Sequence, residues 1–190
     1  PLEEKKRILA KVLSVVMTME CVSFMASFAV TFAIGKQGYF QGIVETVSGV
    51  ARDELLHTRM SYALIKAMKE VDGWGYVFDD VKQDVQRMVV DIVNKELKWC
   101  EYLFSEGRGI LGLSESILKD TVLFFANTVF TLLELDNPFK VVTENPSTFM
   151  EEYVDRSLMQ FASQEIQHMS YRQGSVKDDL DEDTDLDFTF

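Results

Sequence analysis

Residues 51–60 read ARDELLHTRM, and they place Glu54 and His57 three positions apart, one turn from each other on a single face of a helical stretch. Two side chains cannot hold a metal ion by themselves. In a four-helix carboxylate site, a Glu-x-x-His pair works with a second such pair and with one Glu from each of the other two helices. The nearest partner is Glu20, the one charge in the 24 residues from Val12 to Gly35. A carboxylate in so apolar a helix is costly to keep ionised unless it is paired or coordinates a metal, so Glu20 is expected to be buried and bound. Together Glu20, Glu54 and His57 make one single Glu and one Glu-x-x-His, half of a dinuclear carboxylate set.

By length alone, Val12 to Gly35 qualifies as a membrane span. Its serines and threonines, its mid-segment charge and its lack of flanking aromatic belts or Lys/Arg bias argue for a central core helix instead. The surrounding chain is helical in pattern. IVETVSGVARDELLHTRMSYALIKAMKE closes at DGWG, FDDVKQDVQRMVVDIVNKELKWCEYLF follows with Asp79 or Asp80 as cap, and LSESILKDTVLFFANTVFTLLEL starts from Ser114 and stops at DNPF. No strand alternation competes with these patterns. With 190 residues, 47% of them hydrophobic, the chain can bury a sizeable core as one domain or supply a large half of a bigger one. Cys21 and Cys100 follow no metal or redox spacing, and the opening PLEEKKRILAKV does not resemble a secretory leader. Both features suggest packing cysteines and a reducing, cytoplasmic setting.

Half of the net charge of −12 lies in residues 177–190, KDDLDEDTDLDFTF, where seven acids accompany one lysine. The body is thus only mildly acidic, and without a basic stripe it is not expected to bind nucleic acid directly. The acidic end is expected to be disordered in isolation. The second of the two histidines also follows a Glu by three positions, as Glu165 and His168 in SQEIQHMSY. Each pair alone is a weak motif, since a His on a helix near an acid is usually an ordinary polar contact.

The stretch from Met19 to His57, MECVSFMASFAVTFAIGKQGYFQGIVETVSGVARDELLH, resembles the C-terminal ligand region of the radical-generating small subunit of class I ribonucleotide reductase. The shared elements are a Glu followed by Ser-Phe and Phe-rich turns, then Arg-Asp-Glu-x-x-His. KELKWCEYLF is similar to that family's Lys-x-x-Trp-x-x-Tyr-Leu-Phe element, LELDNPF to its Leu-Asp-x-Pro-Phe, and SQEIQHMSYRQGS with the acids and final Phe to its flexible tail. The resemblance runs from about residue 10 to the end. It implies an all-α, partial ferritin-like bundle over residues 1–160 and a large-subunit-docking and radical-transfer tail over 161–190.

The resemblance also assigns roles. Glu20, Glu54 and His57 become ligands of a dinuclear iron or manganese centre (Fe/Fe, Mn/Fe or Mn/Mn), and Asp53 the aspartate that hydrogen-bonds a histidine ligand from the other half. Phe24 and Phe28 match positions lining the radical pocket, though they read equally well as core aromatics. Tyr171 matches the tail tyrosine that passes the radical between subunits, Glu165 a functional glutamate upstream of it, and Asp185, Asp187, Phe188 and Phe190 the docking end. The family's remaining ligands, its radical tyrosine and a relay tryptophan belong to an N-terminal half that does not precede Glu20 here. The expected partners are therefore a separate N-terminal small-subunit chain, a second copy of the assembled small subunit and the large catalytic subunit. Two other readings stand beside this one. A self-contained di-metal oxidase would add Glu96 or Glu101 and the Glu165/His168 pair, and a metal-free docking or scaffold subunit would use only the tail.

Overall fold

The computed structural model describes residues 2–154. Six helices account for most of them: α1 (Leu2–Thr18), α2 (Met25–Lys36), α3 (Gln41–Glu70), α4 (Gly75–Phe104), α5 (Glu115–Leu132) and the short α6 (Glu151–Val154). A π-helical turn, Met19–Ser23, joins α1 to α2, and a 3-10 turn, Thr148–Met150, leads into α6. No strand occurs among the described residues, so the all-α expectation holds.

The apolar segment read as one helix is in fact α1 and α2 with the π turn between them. Just before the turn, the buried hydroxyls of Ser14 and Thr18 donate to the carbonyls of Ala10 and Ser14, a local competition that bends helices. Leu2–Lys36 is long and apolar enough to cross a membrane by length and composition. Here it serves as the central core element: α3, α4 and α5 all pack against it, burying Met17, Val22, Met25 and Phe32. A buried phenylalanine such as Phe32 contributes about 1.5–3 kcal/mol relative to its exposed state.

α4 meets this core through Val77, Val81, Val85, Val89 and Val93, five buried valines at four-residue spacing. β-Branched residues are only moderate helix formers, so packing along this ridge, more than propensity, holds the helix. The predicted cap of α4 is corrected: the helix starts at Gly75, after a turn in which Gly73 takes a φ of 76°. Asp79 and Asp80 therefore lie inside it, and Asp80 instead accepts from Arg7 of α1 at 2.8 Å. Ser114 does cap α5, its Oγ accepting from the Ile117 amide at 3.2 Å. Such a cap contributes about 1 kcal/mol. The segment after α5 is pinned across it by the buried hydroxyl pair Thr121 and Ser147, 2.6 Å apart.

One side of the bundle is uncovered among the described residues. On α1 and the π turn, Leu9, Val12, Val16 and Met19 are exposed at spacings of three, four and three. On α3 the exposed positions 43, 46, 50, 53, 57, 60, 64 and 67 repeat the same alternation, carrying Ile43, Val50, Met60 and Leu64 with Asp53 and His57 among them. That three-four rhythm is the seam by which one helix packs along another.

Candidate metal centre

Glu20 sits in the π turn, and such turns recur at functional sites because they re-aim a side chain out of the regular helical register. Glu54 and His57 project from one face of α3 towards it. The His57 Nδ1 lies 3.0 Å from Glu54 Oε2 and 3.2 Å from Glu20 Oε2. One ligand atom from each of the three residues falls within 4.8 Å of the others, and this is the group of possible metal ligands found among the described residues. Two carboxylates and an imidazole suit iron or manganese.

The site is not enclosed among the described residues. Glu20 is 22% exposed, Glu54 16% and His57 52%, which corrects the expectation of a buried Glu20. The reason is geometric: Glu20 and His57 open onto the uncovered side of α1 and α3, where nothing among the described residues excludes water. Hydrogen bonding to the neighbouring Glu54 carboxyl, and then partial burial, hold the Glu20 carboxyl above its usual range, while His57 pulls it the other way. The hydrogen bond to Glu54, followed by that to Glu20, raises the His57 imidazole above its ordinary value.

Asp53 lies exposed on α3, one turn before His57. Phe24 is 38% exposed and Phe28 7%, so of the two only Phe28 is a core aromatic. They begin a row of rings that the spacing only half reveals. Phe24 and Phe28 have centroids 6.1 Å apart, Phe28 and Phe32 6.3 Å, and Phe32 stacks on Tyr153 at 4.6 Å. The four-residue steps were readable from sequence; the closing Tyr153, 121 positions beyond Phe32, was not. Glu96 and Glu101, both on α4, do not join the cluster, and Glu101 pairs with Lys119 at 2.9 Å. Both cysteines are buried and free, and burial pushes each thiol up to about 12. Glu165, His168, Tyr171, Asp185, Asp187, Phe188 and Phe190 lie outside the described residues.

Comparison with known proteins identifies the family. The chain is 28% identical over 185 residues to the ribonucleoside-diphosphate reductase 1 subunit beta of Salmonella typhimurium, covering 96% of the chain and 49% of that protein. It is 27% identical over 174 residues to the ribonucleoside-diphosphate reductase subunit beta of Haemophilus influenzae, covering 90% and 46%. To that of Enterobacteria phage T4 it is 24% identical over 183 residues, covering 93% and 46%. The chain spans about half the length of these curated relatives. The family model described as ribonucleotide reductase, small chain, matches residues 2–146, which include the π turn, all three clustered residues and the whole of α3 to α5, and on that match the chain belongs to the ribonucleotide reductase small chain family.

Proposed function

We propose that this chain is the C-terminal part of a ribonucleotide reductase small subunit and supplies half the ligands of the dinuclear metal site that generates the radical for reducing ribonucleotides to deoxyribonucleotides. The observation that carries the reading is the cluster of Glu20, Glu54 and His57 in the midst of an exposed helix-packing seam. One Glu and one Glu-x-x-His are half of the set that four helices contribute. The other half comes from a complementary N-terminal segment whose helices lie along the seam. A large apolar face is not left open in a soluble assembly, which supports such a cover.

When bound, a dinuclear iron or manganese centre supplies the one-electron oxidising power from which the radical derives. This chain's own residues hold and shield it. Glu20 and Glu54 offer carboxylate oxygens, His57 its Nδ1, and Asp53 fixes the orientation and tautomer of a histidine from the complementary segment. Phe24 and Phe28 keep water from the radical's surroundings. Beyond the described residues, Tyr171 carries the radical toward the large catalytic subunit, and Glu165 just upstream serves that transfer. A phenol suits that relay because it gives up one electron as its proton passes to a neighbouring acceptor. The end of the tail, with Asp185, Asp187, Phe188 and Phe190, docks on the large subunit, ordering on a groove as it binds. The small subunit pairs with a second copy.

The test is metal content after co-expression with the complementary segment. His57→Ala is expected to abolish the dinuclear signal, and His168→Ala to leave it near normal. Equal loss in both variants would move Glu165 and His168 into the metal site and replace this reading with the self-contained oxidase. A complex without metal in either form would leave only the scaffold.

A further inference from the structure

On another face of α3 from the seam, the core holds a small cavity walled by Met25, Ala51, Leu55, Phe125, Met150 and Val154. It offers about 10 Å³ to the centre of a water-sized molecule, room for one small guest. Asn145 and Glu151 also border it, yet only apolar atoms face the space. A buried water needs several polar partners to stay in such a place, and this cavity gives it none. What fits is small and apolar.

The cavity shares its walls with the metal cluster. Ala51 lies three positions before Glu54 and Leu55 one after it, and helical spacing sets Glu54 between this pair and the seam residues Asp53 and His57. Met25 is the first residue of α2, one residue past the π turn that carries Glu20. Phe125 is tied to that turn as well, its carbonyl accepting from the Cys21 thiol at 3.7 Å. Leu55 and Val154 are half-buried, so they lead from the space towards the surface formed by the described residues. Met25 and Met150 are buried, and a flexible thioether side chain yields to a guest more readily than a branched one.

We propose that this cavity binds molecular dioxygen and is the way by which that oxidant approaches Glu20, Glu54 and His57 once the seam is covered. The inference rests on the functional reading above for the metal and for the cover. A reduced iron or manganese pair gains oxidising power only from an oxidant delivered to it, and a cover that keeps water out of the seam also closes that approach. Dioxygen carries no charge and needs no hydrogen bond, so an apolar wall costs it little. Superoxide or peroxide would surrender its water there without replacement.

The experiment places the metal-free 190-residue chain, labelled at its methionine methyls, under dioxygen and then under nitrogen, and reads the paramagnetic relaxation that dissolved dioxygen induces. The expected result is a stronger enhancement at Met25 and Met150 than at Met17, which is equally buried but does not line the cavity. Ala51→Val, which fills the space, should bring both methyls down to the level of Met17. Val154→Phe fills it from a half-buried position and reports even where Ala51→Val perturbs the core. Met25 and Met150 responding no more than Met17, a water found in the space by its proton contacts, or parental response in both variants would overturn the proposal. In the metal-loaded complex, both variants should slow oxidation of the reduced centre by dioxygen severalfold at unchanged metal content, and an unchanged rate would refute the approach route. If the complex loads metal that His57→Ala removes while the methyls do not respond, the cavity proposal is wrong and the proposed function stands. If the methyls respond and the complex loads no metal, the functional reading falls and the approach route falls with it.

Discussion

Replacing Glu96 by glutamine should make the protein's stability much less sensitive to pH. Glu96 lies on α4 one turn before the buried Cys100, and its Oε2 is enclosed without a hydrogen-bond partner among the described residues. The cation on the facing helix is engaged elsewhere, Lys119 pairing with Glu115 at 2.7 Å and with Glu101 at 2.9 Å. Burial pushes the Glu96 carboxyl up to about 7 from its ordinary 4.5. Between those values the folded protein keeps a proton that the unfolded chain has released, so stability falls as pH rises through this window and the loss is complete above about 7. A displacement of that size corresponds to about 3.4 kcal/mol at most, and partial access of water to the carboxyl reduces it to about 2 kcal/mol. Glutamine keeps the shape and cannot ionise. Urea unfolding at about pH 5 and about pH 8.5 should show the stability difference between variant and parent shifting by about 2 kcal/mol in the variant's favour, or about 4–8 °C in midpoint temperature. A constant offset from an unsatisfied amide, about 1 kcal/mol, does not affect that shift. Parallel stability curves for the two proteins across this range would refute the reasoning.

Two further outcomes are expected. Gly35→Ala should cost about 1–3 kcal/mol in thermal unfolding, because a Cβ there would sit 2.6 Å from Val44 Cγ2 where α2 meets α3; adding Val44→Ala should restore part of the loss. Deleting residues 176–190 should abolish ribonucleotide reduction with the large subunit while metal loading persists, whereas Tyr171→Phe should preserve both docking and loading and lose only reduction, as read by product formation against co-sedimentation with the large subunit.

How much was legible beforehand differs from element to element. Ser114 is readable as a cap because its hydroxyl acts within one turn, and the four-residue steps of Phe24, Phe28 and Phe32 are readable because helical periodicity is local. The start of α4 is misread because Asp79 and Asp80 have cap chemistry but are recruited elsewhere, Asp80 by Arg7 across the bundle. Glu54 and His57 are legible as a pair for the same local reason, since three positions along a helix guarantee a shared face.

By itself, then, the sequence determined the helical class, the helix that carries Glu54 and His57, and Glu20 as the isolated carboxylate of the central segment. Only the tertiary structure decided that Glu20 meets His57 at 3.2 Å across 37 positions, through a π turn that no periodicity announces. It also decided that the cluster stays open to water. A pattern of apolar residues states which faces seek burial, but whether a face finds its cover depends on what packs against it, and around Glu20 and His57 the described residues leave that face exposed.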